Sequence, residues 1–145
     1  MKLTKRNRAN LRKLAKYLYA LDGELNRSFN MEYYARDCEG MSVKPCDTPE
    51  CGTVVCALGY AAVVFPRIAK KHNHWWEFCF DVFGFCFDVF GLDGLEGGYI
   101  WNFLFSYRWT YIDNTITGAA DRITYFLKHG IPDDCWNPEV YRSAS

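Results

Sequence analysis

Apolar positions in the first part of the chain recur at helical steps. Leu11, Leu14, Ala15, Leu18 and Leu21 fall three and four residues apart, with most of the basic residues between them. Residues 5–21 therefore read as an amphipathic helix, ended by Asp22-Gly23. Residues 24–47 read as irregular, with a short helical turn at Met31–Arg36 and breaks at Gly40, Pro45 and Asp47. The next stretch carries no charge between Glu50 and Arg67. Thr48 suits a helix cap, Pro49 the first helical position, Glu50 the positive end of the helix dipole, and Pro66 the stop. The pattern predicts a helix over 49–65 that is apolar all round, hence a buried central helix around which the chain wraps. Gly52, Cys56, Gly59 and Val63 line one stripe of it, where a second backbone could approach closely.

The sequence FCFDVFG then occurs twice in tandem, at Phe78–Gly84 and Phe85–Gly91. A repeat of seven is nearly two helical turns and keeps both copies on one face, whereas in a strand the second copy would flip over. The helical reading is the consistent one, although Gly84 and the aromatic, β-branched composition argue for strands. Asp93 to Glu96 has capping-box spacing and predicts a helix from Gly94 to about Ser106. Against it, Tyr99, Trp101, Phe103, Phe105, Tyr107, Trp109 and Tyr111 alternate strictly, as in a strand, and an extended segment is expected at 107–112. Thr117 is expected to cap a last helix, Gly118–His129, with Ala120, Ile123, Phe126 and Leu127 inward and Gly130 and Pro132 as stops. Lys128 and His129 suit the negative end of its dipole. The fold expected is mainly α, about five helices around 49–65; the alternative is α+β, with a small sheet from 78–90 and 99–111. Residues 1–132 form one domain on this reading, and 133–145 a loosely packed tail.

Composition narrows the class. The chain has 145 residues, half of them hydrophobic and 18% aromatic, far from a disordered profile. The uncharged run is shorter than the roughly 20 residues of a membrane span, and the N-terminus lacks the apolar region of a secretory signal. Seven cysteines without the spacing of a small disulfide framework point to a reduced, intracellular setting. Net charge is zero but unevenly placed. Lys2, Lys5, Arg6, Arg8, Arg12, Lys13 and Lys16 meet no acid in the first 20 residues, so the remainder carries a matching negative excess. That asymmetry suits a solvated helix face, a basic arm for nucleic acid over residues 2–16, or association with an acidic protein surface, including a second copy.

The run Cys51-Gly52-Thr53-Val54-Val55-Cys56-Ala57-Leu58-Gly59-Tyr60-Ala61, preceded by Asn30-Met31, resembles a motif of short bacteriophage and prophage proteins. Phe90-Gly91-Leu92, Leu104-Phe105, Thr117 to Ile123 and Gly130-Ile131-Pro132 extend the likeness, which covers roughly residues 29–132. Relative to that group the second FCFDVFG copy looks like an insertion. The resemblance implies a bacterial cytoplasmic setting and carries no activity or catalytic residue with it.

Candidate chemistry is sparse. Cys51 would sit in the first turn of the central helix, where the dipole favours a thiolate, and His72 or His74 could serve as base for a cysteine hydrolase or transferase. The bland alternative is a small buried thiol. Cys38, Cys46, Cys51 and Cys56 lack the close pairs of a zinc site, so no metal is expected. No glycine-rich phosphate loop appears, and no cofactor is expected. Trp75, Trp76, Tyr107, Trp109 and Tyr111 could line a protein-binding patch, with Arg6, Arg8, Arg12 and Lys13 available for an acidic or nucleic-acid partner. The leading expectation is a phage-type protein-binding module that occupies a host or defence protein. The alternatives are the Cys51 enzyme and nucleic-acid binding.

Overall fold

A computed structural model describes residues 3–21, 28–29, 31, 35–36, 43–47, 54–85 and 94–142. Its helices, in order, are α1 (Lys5–Leu21), α2 (Ala57–Val64), α3 (Pro66–Ala69), α4 (Trp75–Phe83), α5 (Gly94–Phe105), α6 (Ile116–His129) and α7 (Pro138–Tyr141). The fold is mainly α. Three strands of two residues each, β1 (Ser28–Phe29), β2 (Ala35–Arg36) and β3 (Val54–Val55), form a small sheet in the order β1-β3-β2. β3 pairs parallel with β1 and antiparallel with β2.

α1 follows its pattern closely. Leu11, Leu14, Ala15, Leu18 and Leu21 are all buried, together with Asn7. Its start is a reciprocal cap that the periodicity did not reveal. The Asn7 amide donates to Thr4 Oγ1, and the Thr4 amide donates to Asn7 Oδ1, both at 3.1 Å. Asn7 Nδ2 also donates to the Val82 carbonyl at 3.3 Å, and Asn10 Nδ2 reaches the same oxygen at 2.9 Å. One cap thereby fastens α1 to the end of α4.

The central helix is shorter than its pattern predicts. Val54 and Val55 belong to β3 and Cys56 precedes α2, so the helix begins at Ala57 and not at Pro49. Sheet pairing captures the β-branched pair that helical reading assigned to the second turn. Thr48, Pro49 and Cys51 lie outside the described residues. What remains is still a core helix: Ala57 to Ala62 are all buried. Pro66 both follows its end and opens α3, where a missing N–H costs nothing. The helical turn expected at Met31–Arg36 is also replaced, since Ala35–Arg36 is β2.

The first FCFDVFG copy is helical, as expected, but α4 stops at Gly84, which adopts φ 79°. A continuous helix through both copies is therefore not formed; residues 86–90 of the second lie outside the described ones. The strand alternative for 99–111 does not form either. α5 buries Ile100, Trp101, Phe103, Leu104 and Phe105, and Tyr107–Tyr111 is a 3-10 turn capped by Ser106 Oγ, not an extended segment. Aromatic alternation here marks a helix buried over most of its circumference, followed by a tight turn.

α6 is capped by Thr115, not Thr117: its Oγ1 accepts from the Gly118 amide at 3.0 Å. The tail beyond Asp133 is not loose throughout, because Tyr141 of α7 is fully buried. It closes a box around Arg122, which is itself fully buried. The guanidinium lies 4.0 Å from the Trp109 ring centre; its Nη1 donates to Tyr141 Oη at 3.1 Å and lies 3.7 Å from Asp113 Oδ2. The Tyr141 hydroxyl in turn donates to that carboxylate at 2.9 Å. Burial lowers the Arg122 pKa, opposed by Tyr141 and Asp113. Among the described residues Nε and Nη2 have no hydrogen-bond partner, and the Trp109 ring face adds to the stabilisation of this charge.

Two substitutions test these constraints. Tyr141→Phe keeps the packing but leaves Arg122 and Asp113 each one partner short, so urea unfolding should show a loss of about 1.5–3 kcal/mol. Gly84→Ala forces a side chain into the left-handed region and onto Asn7 Oδ1, and should cost about 1–3 kcal/mol in the same assay.

Candidate functional site

The longest described helices, α1 and α6, run antiparallel. Arg8 near the start of α1 donates through Nη2 to the Leu127 carbonyl near the end of α6. At the other end, the Tyr19 hydroxyl donates to Asp121 Oδ1 at 2.5 Å. Between these ties the outer seam opens into a groove of about 390 Å³, lined by Arg12, Ala15, Lys16 and Tyr19 of α1 and by Thr124, Leu127 and Lys128 of α6. The α1 residues are spaced i, i+3, i+4 and i+7, and those of α6 i, i+3 and i+4, so each set occupies one face of its helix. The groove thus follows α1 for about two turns, roughly 10 Å, and α6 for about one, roughly 6 Å.

Its chemistry is two-sided. Ala15 is small, which leaves a depression between Leu127 and the Tyr19 ring. Arg12, Lys16 and Lys128 are exposed cations on the rim, and none of the seven lining residues is acidic. Asp121 stands just beyond the Tyr19 end, nearly buried and bonded to the phenol. Burial first, and then that hydrogen bond, push the Tyr19 pKa up to about 12.

The basic residues named from the sequence separate into two groups. Arg12 lines the groove and Arg8 ties its floor, on the side facing α6. Arg6 and Lys13 turn the other way: Arg6 Nη1 reaches the Asp81 carbonyl at 3.4 Å, and Lys13 sits 5.4 Å over the Phe65 ring. Lys16, Tyr19, Thr124, Leu127 and Lys128 were not singled out as site residues. The i, i+4, i+8 series Arg8, Arg12, Lys16 was a usable signal for Lys16 alone. The α6 half was not accessible, because nothing local says which helix α1 meets.

The aromatic patch is only partly assembled. Tyr107 and Tyr111 are 66% and 77% exposed, but Trp109 is fully buried against Trp136, Arg122 and Tyr141 and cannot contact a partner. Trp75 and Trp76 are half-buried; Trp75 Nε1 donates to the Val43 carbonyl, and Trp76 stacks on His74.

Of the cysteine–histidine constellation, only His72 and His74 fall among the described residues. Cys51 lies outside them. His72 Nε2 is 2.9 Å from Asp81 Oδ2, whereas His74 is exposed on the Trp76 ring. Cys56 is fully buried, and that burial pushes its pKa up to about 11, the reverse of what a nucleophile needs. Among the described residues no group of three or more His, Cys, Asp or Glu is placed to hold a metal ion. No described helix is long and apolar enough to cross a membrane. Comparison with family models, curated proteins and solved structures finds no match.

The raised Tyr19 phenol gives the groove a signature in pH. A phenol with a folded pKa of about 12 keeps its proton where the unfolded chain, titrating near about 10, has lost it. Its contribution is present below about pH 10 and is lost as pH rises through the folded value. Tyr19→Phe should be less stable than the parent at neutral pH and show a shallower alkaline decline. Urea unfolding on both sides of about pH 10 measures this.

Proposed function

We propose that this chain is a non-enzymatic binding module that acts by occupying an acidic surface of another protein through its α1–α6 face. The observation that carries the reading is the groove: an apolar floor of Ala15, Leu127 and the Tyr19 ring beneath a rim of Arg12, Lys16 and Lys128. Phosphate recognition needs the cations but has no use for the floor, whereas a protein partner uses both. The likeness of Cys51 to Ala61 to short phage proteins implies a bacterial setting, in which the partner proposed is a host or defence protein, inhibited by occupation of its surface. Tyr107 and Tyr111 are available as a further contact on a separate element.

Arg12→Glu combined with Lys16→Glu changes only exposed side chains and should leave the melting temperature within a few degrees of the parent. Immobilised parent and double variant, each exposed to nuclease-treated bacterial lysate at low salt, should differ. The parent retains specific proteins that the variant releases. Identical proteins on both supports, or retention of nucleic acid only when nuclease is omitted, would overturn the reading.

A further inference from the structure

We infer that the α1–α6 groove is built to receive one amphipathic, acidic α-helix of a partner protein, laid along the seam so that three helices pack side by side. This rests on the reading of that face as the binding surface and goes beyond it by naming the form of the occupant. Three features of the groove set that form. It runs straight along two antiparallel helices, as the Arg8–Leu127 and Tyr19–Asp121 ties at its ends require. An extended strand would find no sheet edge to pair with here, because both walls are helices whose backbone groups are engaged internally. A third helix instead offers apolar side chains at i, i+4 and i+7, which run alongside the two turns of α1 that line the groove.

Charge complementarity decides the rest. Arg12 and Lys16 stand on one wall and Lys128 on the other, with only apolar and hydroxyl groups between them. A helix bearing Glu or Asp on both flanks of its apolar stripe would place a carboxylate toward each wall. A helix with basic flanks would bring like charges together at the same points. Thr124 is positioned at the Tyr19 end, where its Oγ1 donates to the Ala120 carbonyl and lies 3.4 Å from the phenol oxygen. That pair leaves a polar end to the floor, so the deepest apolar contact should fall beside Ala15 and Leu127.

The probe is a synthetic helical peptide of about five turns with Leu at i, i+4, i+7 and i+11 and Glu on both flanks. Its controls are a scrambled peptide of identical composition and a double-stranded DNA oligonucleotide. Fluorescence anisotropy at low salt should show the amphipathic acidic peptide bound at least about tenfold more tightly than the scrambled one. Arg12→Glu with Lys16→Glu should weaken it by a further factor of about ten, and raised salt should weaken it in the parent but little in the variant. Leu127→Ala, which removes floor and no charge, should weaken it severalfold without altering the salt dependence. Equal affinity for the amphipathic and scrambled peptides would overturn the helical occupant while leaving an acidic protein partner standing. Tighter binding of DNA than of either peptide would overturn both. Peptide binding that survives the charge reversals unchanged would remove the groove as its seat.

Discussion

Because α1 lies antiparallel along α6, the apolar faces of the two longest described helices shield each other from water, and the remaining elements are arranged around that pair. Leu11, Leu14 and Leu18 on one side and Ala119, Ala120 and Ile123 on the other are fully buried in a single cluster. At about 25 cal/mol per Å² of apolar surface, removing such faces from water is the largest favourable term available to a chain of this size. The remaining side of α1 is then free to hold α4, through Asn7 and Asn10 on the Val82 carbonyl. The same pairing leaves an outer seam, and with Ala15 there instead of a longer side chain the seam stays open as a groove.

A second constraint acts at the middle of α6. Arg122 carries its charge into the core, where it would be strongly destabilising alone. Trp109, Tyr141 and Asp113 surround it, and they come from the 3-10 turn, from α7 and from the approach to α6. One buried guanidinium therefore holds three separate segments in register. Gly118 is part of the same arrangement, since a Cβ there would overlap the Asp113 carboxylate. A buried ion pair of this kind adds little net stability over an apolar replacement, but removing any one partner leaves the others uncompensated.

These two regions divide the labour of the helix. The Arg122 side is dry and interlocked; the groove side is cationic and open. Binding surfaces work best when the elements that carry them are held rigidly elsewhere, so that little ordering entropy is lost on association. Arg12 and Lys16 stand on a helix whose inner face is fixed by core packing, and Lys128 on one fixed at its start by Thr115 and Arg122.

What the sequence alone determined is local. The amphipathic stripe of residues 5–21, the stop at Gly130, the helix over 94–105 and the mainly α class all follow from periodicity and turn chemistry, which act between residues a few positions apart. The charge split of the first 20 residues was equally legible. Tertiary structure decided the rest. Val54 and Val55 left the helical pattern because β1 and β2 offered them backbone partners, which no local signal encodes. Gly84 became a terminator rather than an interior residue because its left-handed turn presents the α4 end to Asn7, far away in sequence. Trp109 went inside because a buried Arg122 needed an aromatic face, and Lys128 joined Arg12 and Lys16 only because α6 came to rest beside α1. Each of these depends on which surfaces meet, and a linear pattern states what a surface is made of but not what it will touch.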